Sequence, residues 1–196
     1  FGSWHTQVEF KDVKLTGADG APIDLDLNKA VKKEGEWSLD NGLLKQTSLR
    51  EPAKYIVDGF NGNQFTLEFK VRKEGGNEGF FLYFGLSEDS NKGFVYNVAG
   101  WNNGTTSVEG VIGGRTSGDR VSHSLETDKG YDAKLVVTPQ KSELFMDGKL
   151  ILAHAPETTP LQFFSSGYDE ATGEVIVKVV NSEAQSYPLR IKLDGG

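Results

Sequence analysis

The chain has 196 residues, of which 28 are acidic and 21 basic, so its formal charge is −7 at neutral pH. This length suits one domain, or one domain with an appendage. The acidic balance lacks the positive surface that phosphate backbones require, so nucleic acid is excluded as a partner. No run of about 18 apolar residues is present, so no membrane-spanning helix is predicted. The absence of cysteine excludes disulfides and thiolate metal sites.

Short segments of alternating polarity follow one another along most of the chain. Residues 24–34 alone have the spacing of a helical turn or two, and period-two alternation predicts strands over 65–72, 131–138 and 174–179. Between such segments stand Asn-Gly and Asp-Gly pairs, which tolerate the positive φ angles of tight turns. The pair Asp147-Gly148 lies midway between two apolar arms and predicts a β-hairpin over 143–152.

These segments number about a dozen, with turn signals every 8–12 residues or so, as in β-sandwiches. We therefore expect an all-β protein, a jelly-roll β-sandwich of two antiparallel sheets. The pattern changes near 156–160, so we predict one domain over 1–160 and additional strands over 161–196. The additional strands either pack on that domain or begin a neighbouring β-sandwich. Val175, Val177 and Val179 share one apolar face that needs cover, which favours packing on the first domain.

Residues that could carry catalysis or bind a metal are sparse. The histidines are far apart and in no metal-ligand spacing: His5, His123 and His154. The nearest candidate for a catalytic carboxylate pair is Glu126 with Asp128, but the third position of that alternation is Gly130. The pair also precedes a strand, where a solvated turn is expected. An enzymatic function would need two close carboxylates in a cleft. We predict no catalytic residue.

The segment from 79 to 115 is the richest in candidate binding residues. On the strand 79–86 the even-numbered apolar residues form a core face, so Tyr83 points away from the core. Asn97 and Trp101 share one parity of the next strand, 94–101. Sugars stack their apolar CH faces on aromatic rings, and their hydroxyls pair with amides, carboxylates and guanidinium groups. The predicted carbohydrate-binding residues are Tyr83, Asn97, Trp101, Asn102, Glu109 and Arg115.

Two alternatives stay open in this segment. Phe81 has the parity of Tyr83, but we expect it to fill the interface with the second sheet. Trp101 either swings over a groove mouth after the break at Gly100 or packs under a loop. An exposed Trp101 beside Asn97 and Asn102 favours sugar binding, whereas a buried Trp101 favours a purely structural domain.

Several motifs resemble known families. WSLDNGLL at 37–44, YDAKL at 131–135 and LFMDGKL at 144–150 resemble concanavalin A-like and laminin-G-like jelly rolls. EGFFLYFG at 78–85, NVAGW at 97–101 and DEATGEVIVKVVN at 169–181 are similar to the carboxy-terminal region of α-L-arabinofuranosidases of glycoside hydrolase family 51. The resemblance covers about residues 4–193. In that family the catalytic glutamates belong to a separate (β/α) barrel of ~250 residues, so none is carried over to this chain.

The resemblance implies a non-catalytic carbohydrate-binding accessory module of an α-L-arabinofuranosidase. Its implied partners are arabinose-containing plant polysaccharide and the parent catalytic barrel. Its implied location is extracellular or periplasmic, with any signal outside this sequence. The alternative is a structural domain that packs against the barrel and binds no sugar. We predict no cofactor. Structural calcium is common among such jelly rolls and stays an open alternative, but no loop here has a ligand spacing, so no metal ligand is assigned.

Overall fold

The alternating segments form β-strands almost throughout the computed structural model, which describes residues 1–50, 52–57, 60, 62–87, 92–110, 119–155, 162–181, 186 and 188–192. In chain order the strands are β1 (Gly2–Ser3), β2 (Thr6–Gly17), β3 (Pro22–Ile23), β4 (Ala30–Glu34), β5 (Trp37–Asp40), β6 (Leu43–Gln46), β7 (Ala53–Val57), β8 (Phe65–Gly76), β9 (Phe80–Phe84), β10 (Phe94–Ala99), β11 (Thr105–Gly110), β12 (Arg120–Ser122), β13 (Gly130–Val137), β14 (Ser142–Met146), β15 (Lys149–His154), β16 (Gln162–Asp169) and β17 (Glu174–Asn181). The one helical segment among the described residues is a single turn, Gly100–Asn103.

Two antiparallel sheets form the first of two units into which the chain divides, Phe1–Pro156 and Glu157–Gly196. Sheet A has seven strands in the order β12-β11-β10-β9-β1-β7-β4. Sheet B has the order β15-β14-β13-β8-β2-β6-β5, and β3 pairs with β2 beside that path. The expected all-β sandwich is confirmed.

The core lies between the inner faces of the two sheets. Phe10, Phe69 and Phe80 meet there with ring centroids 5.7–6.1 Å apart. The buried hydroxyl of Tyr96 on sheet A lies 2.9 Å from Oγ of Ser142 on sheet B, so the polar end of this ring is also satisfied. Truncating one such buried aromatic side chain to alanine costs about 3–5 kcal/mol, so these rings hold the sheets together.

Two of the predicted turns follow the expected chemistry. Asn41 and Gly42 have φ angles of 48° and 79° between β5 and β6, and Asp147 and Gly148 have 50° and 75° between β14 and β15. Consecutive positive φ angles match the right-handed twist of the strands that a two-residue hairpin joins. The hairpin predicted over 143–152 is confirmed.

The helical turn suggested over 24–34 is wrong. The Asp26 carboxylate accepts a hydrogen bond from the backbone N–H of Asn28 at 3.0 Å, and the backbone N–H of Lys29 donates to the Asp26 carbonyl at 3.0 Å. This side-chain-capped turn leads into β4, which pairs with β7. A local Asp-centred turn and a sheet partner supply the hydrogen bonds that a helix would have made.

The second unit contains one described hairpin, β16 with β17. Its register places Val175 opposite Tyr168 and Val179 opposite Phe164, so aromatic and valine side chains share one face of this ribbon. The packing of residues 161–196 on the first domain stays a prediction. Among the described residues, the helical content is too short to offer any segment that could cross a membrane.

Candidate functional site

The outer face of sheet A presents polar and aromatic side chains in two cross-strand rows. One row runs across β9, β10 and β11 through Tyr83, Val95 and Glu109. The row beside it consists of Phe81, Asn97 and Ser107. The alternate residues of these strands lie in the core, so period two places both rows on the face of sheet A opposite the core, where Ser107 and Val95 are nevertheless covered by their neighbours.

Gly2 on β1 makes room for the floor of this face. A Cβ at residue 2 would lie 2.8 Å from Cε2 of Tyr83 and 2.5 Å from the carbonyl oxygen of Ala53. Only glycine therefore allows the Tyr83 ring to settle beside β1. Burial raises the pKa of Tyr83, so its hydroxyl stays protonated and is available as a hydrogen-bond donor.

A left-handed turn ends β10 and carries Trp101. The φ angles of Ala99, Trp101, Asn102 and Asn103 lie between 49° and 59°, and the Gly104 N–H donates to the Gly100 carbonyl at 2.9 Å. Left-handed backbone costs about 1–2 kcal/mol for each residue other than glycine, less for asparagine. The run persists because surrounding contacts hold it, and backbone strain of this kind concentrates at functional sites.

Asn103 anchors the turn to the loop that follows β12. Its side-chain amide donates to the carbonyl of Leu125 at 2.8 Å, and its oxygen accepts from the N–H of Leu125 at 2.9 Å. Arg120 supports the turn from another side, since its guanidinium lies 4.9 Å from the centroid of the Trp101 ring. Such a cation–π contact limits the orientations of the exposed ring.

Trp101 and Trp4 form two walls of a cavity on this face. Both side chains are 41% exposed, and the cavity has a volume of about 450 Å³. It is lined by Trp4, Pro52, Lys54, Glu78, Phe81, Tyr83, Val95, Asn97, Trp101, Glu109 and Gly110. Aromatic walls with a few converging polar groups are typical of small-molecule binding sites. We call this cavity the tryptophan pocket.

A short hydrogen-bond chain orients the polar groups of the tryptophan pocket. One oxygen of Glu109, Oε1, accepts from Oγ of Ser107 at 2.8 Å and lies 3.5 Å from the Asn97 amide nitrogen. The Asn97 amide occupies space next to Gly100 that a Cβ would fill. The carboxylate and the amide are therefore held side by side, facing the cavity between the tryptophans.

The structure brings four of the predicted binding residues to one cavity: Tyr83, Asn97, Trp101 and Glu109. Asn102 is exposed in the left-handed turn but does not line the cavity. Arg115 lies outside the described residues. Asn97 and Trp101 do share a face, but not through a strand that stays regular as far as Trp101, because β10 ends at Ala99. The left-handed turn returns Trp101 to the outer face instead.

Sequence reasoning missed other lining residues, among them Trp4, Lys54 and Glu78. Trp4 lies in the short connection between β1 and β2, where no periodicity reveals its direction. Phe81 was expected between the sheets, but it lies on the outer face and lines the pocket. Its shared parity with Tyr83 was the signal that should have placed it there.

Two clefts on the outer face of sheet B have a different character. One is lined mostly by charged side chains that already pair with one another, including Arg72 with Glu9 at 2.8 Å and Lys70 with Asp132 at 2.6 Å. The other lies along the Asp24–Asn28 loop and has no aromatic ring in its lining. The aromatic residue in the lining of the first cleft, Tyr131, is buried, so neither cleft offers the exposed indole rings of the tryptophan pocket.

Residues considered for catalysis occupy structural positions. Glu126 pairs with Lys129, and Asp128 has a φ of 64° in the exposed turn before β13, as expected. Nδ1 of His123 lies 2.9 Å from Oγ1 of Thr106, and burial lowers the pKa of this histidine. In the part of the chain that the structure describes, no three acidic or histidine side chains cluster in a way that could hold a metal ion.

The sequence comparison points to one enzyme. The chain is 30% identical over 203 residues to an extracellular exo-alpha-L-arabinofuranosidase of Streptomyces chartreusis. The chain resembles part of an arabinofuranosidase. The alignment covers 98% of this chain and 24% of that protein, so the chain spans about a quarter of the length of this curated relative. The resemblance predicted from the motifs is confirmed. No protein-family model matches the chain.

The structural comparison shows the fold. The carbohydrate binding module CBM66 of Bacillus subtilis superposes on 65% of this chain and 80% of its own, with a TM-score of 0.53 and 17% sequence identity. The expected jelly-roll sandwich is confirmed by this likeness.

Proposed function

We propose that this chain is a non-catalytic carbohydrate-binding module of a larger arabinofuranosidase. The observation that carries the proposal is the tryptophan pocket, in which two half-exposed indole rings flank an oriented amide and carboxylate. Indole faces stack on the CH faces of a sugar ring, while Asn97 and Glu109 bind its hydroxyls. The similarity to an extracellular exo-alpha-L-arabinofuranosidase supports arabinose-containing plant polysaccharide as the ligand and an extracellular location.

Such a module acts by raising the local concentration of substrate. Once the module is bound to the polysaccharide, the linked catalytic domain meets the same polysaccharide in an intramolecular step, and no new chemistry is needed. A cavity of about 450 Å³ holds a short piece of glycan. The affinity is therefore modest, because few stacked rings and hydrogen bonds offset the lost freedom of the sugar.

The rival function is a structural domain that packs on the catalytic barrel. This function would make the exposed tryptophans part of an interface between domains. Asn97 and Glu109 lie side by side in an open cavity, and a packed interface between domains does not require such a pair of polar groups. The pair therefore favours binding of a ligand with several hydroxyl groups over a purely structural role.

Replacing Trp101 by glycine tests the proposal. Trp101 has a φ of 49°, so glycine removes the ring and also relieves backbone strain. We expect the free energy of unfolding to stay within about 1 kcal/mol of the parent value, because lost packing and relieved strain offset each other. Affinity electrophoresis on arabinan and arabinoxylan should show retention weakened by about tenfold or more.

Leu150→Ala is the matched control, because Leu150 is an exposed apolar residue on sheet B, away from the pocket. It should leave retention unchanged. Full retention in folded Trp101→Gly protein would contradict the proposed site, and no retention by the parent protein would favour the structural domain. Release of arabinose from a nitrophenyl arabinofuranoside by the pure chain would refute its non-catalytic nature.

A further inference from the structure

We propose that the tryptophan pocket discriminates by charge: it accepts uncharged sugar residues and rejects sugars that carry a carboxylate, through Glu78 and Glu109. This inference rests on the proposed function and deepens it. It assigns the two glutamates as specificity-determining residues for neutral glycans.

Glu109 is the acceptor best placed to receive ligand hydroxyls. Among the described residues, the Ser107 hydroxyl and the Asn97 amide both contact the same oxygen, Oε1. Among the described residues no ammonium or guanidinium group pairs with this carboxylate. No described residue hydrogen-bonds its second oxygen, to which a ligand hydroxyl can donate and a carboxylate cannot.

Glu78 adds a second carboxylate to the lining. Its carboxylate interacts electrostatically with the Lys73 ammonium group, and its backbone N–H donates to Oγ1 of Thr6 at 3.1 Å, which ties the residue to the start of β2. Glu78 and Glu109 both line the tryptophan pocket. A ligand carboxylate would therefore face repulsion at more than one position.

Lys54 is the cation among the described lining residues, but its ammonium group already pairs with a carboxylate. Its Nζ lies 3.8 Å from Oε2 of Glu34, and the Nζ of Lys32 lies 3.3 Å from Oε1 of the same carboxylate. The lining itself thus holds two carboxylates against one ammonium group that already has a partner. The described lining residues alone therefore carry one net negative charge.

The pKa of Tyr83, at the floor of the pocket, is affected by these charges. Burial is the main cause of the raised pKa of Tyr83, and the carboxylates of Glu34 and Glu109 raise it further. An anionic ligand bound against this floor would be repelled by the same carboxylates, and the Lys54 ammonium group, 5.9 Å from the centroid of the ring, offsets part of that repulsion.

The consequence is selection by repulsion. A neutral sugar loses nothing to the two carboxylates and gains charge-assisted hydrogen bonds from its hydroxyls. A sugar acid of the same shape brings a like charge into a partly desolvated cavity, where screening is weak. Specificity of this kind arises from an unfavourable contact with the wrong ligand.

Three forms of one polysaccharide test the proposal. The first is arabinan, the second is the same arabinan after oxidation of its free primary hydroxyls to carboxylates, and the third is that oxidised arabinan after conversion of the carboxylates to amides. We expect the parent protein to bind the native form at least about tenfold more tightly than the carboxylate form at low salt. The amide form should recover most of the loss, since its size is similar and its charge is zero.

Glu78→Gln/Glu109→Gln protein keeps the shapes of both side chains and removes both charges. In this variant the ratio of native to carboxylate affinity should fall towards one. Added salt should reduce the ratio for the parent protein and hardly change it for the variant.

The outcomes separate failure of the inference from failure of the proposed function. If the parent protein binds none of the three forms, the proposed function is wrong. If it binds native and carboxylate forms equally, or if the ratio survives in the double variant, the charge selection is wrong while sugar binding stands. If the amide form binds as poorly as the carboxylate form, size rather than charge discriminates and the inference is refuted.

Discussion

Gly100 leaves the space in which the Asn97 amide lies. A Cβ at residue 100 would collide with the oxygen, the carbon and the nitrogen of that amide, which is the movable end of a side chain. The backbone of Gly100 does not have a positive φ, so alanine is not excluded there on conformational grounds. The space, and not the backbone angle, accounts for a glycine at this position.

Gly100→Ala is therefore expected to disturb binding more than folding. The Asn97 amide must rotate away from the added methyl group, which takes it from its place beside Glu109. We expect a drop in arabinan affinity of several-fold with a melting temperature within a few degrees of the parent value. Titration with arabinan oligosaccharides and thermal melting measure the two effects.

Gly130→Ala provides the control for this substitution. A Cβ at residue 130 would meet nothing within 4 Å, and the residue lies on sheet B. Its affinity for arabinan should equal that of the parent protein. Equal affinity of the Gly100→Ala protein as well would contradict a role for the Asn97 orientation.

At the scale of elements, the left-handed turn Gly100–Asn103 determines the position of Trp101, which forms one wall of the tryptophan pocket. A hydrogen bond from the Gly104 N–H to the Gly100 carbonyl closes the turn, and the paired contacts of Asn103 with Leu125 tie it to the loop after β12. Asparagine also tolerates the φ of 59° at this position better than most residues.

Two substitutions separate these contributions of Asn103. Asn103→Ala removes both hydrogen bonds and adds left-handed strain, so we expect a loss of about 2–3 kcal/mol in the free energy of unfolding. Asn103→Gly removes the hydrogen bonds without that strain, and about 1–2 kcal/mol should be lost. Chemical denaturation measures both values.

Both variants should also bind arabinan more weakly, because Trp101 is then less firmly positioned. An unchanged affinity in either folded variant would show that the Asn103 anchor does not control the ring. Equal stabilities of the alanine and glycine variants would show that the left-handed backbone carries no strain.

At the scale of the whole molecule, every residue that lines the tryptophan pocket belongs to the unit Phe1–Pro156. A shortened chain of residues 1–156 is therefore expected to keep the arabinan affinity of the full chain within about twofold. Isothermal titration of both chains measures this. A large loss of affinity in a folded shortened chain would place part of the site beyond residue 156.

The same shortened chain tests the prediction for residues 161–196. If these strands cover apolar surface of the first domain, as the valine pattern predicts, the shortened chain should melt at a lower temperature. An unchanged melting temperature, with the protein still soluble, would contradict that prediction.

Much of the architecture follows from local patterns. The alternation in β8, β13 and β17 predicted strands, and the Asp147-Gly148 pair predicted a hairpin, because side-chain direction and turn geometry depend on residues close together in the chain. Tyr83 was correctly placed outside the core for the same reason. The motifs also predicted the similarity to an arabinofuranosidase, since that is a property of the sequence itself.

The pocket depended on contacts that no local pattern contains. Trp4 and Lys54 reach it only because β1 lies between β9 and β7 in sheet A, an order that is decided by packing of the whole sandwich. Trp101 reaches it through a left-handed turn that Leu125, more than twenty positions away, stabilises. The sequence by itself thus determined strands, turns and the faces of single strands, whereas tertiary structure decided which strands are neighbours, because sheet order depends on the burial of all inner faces together.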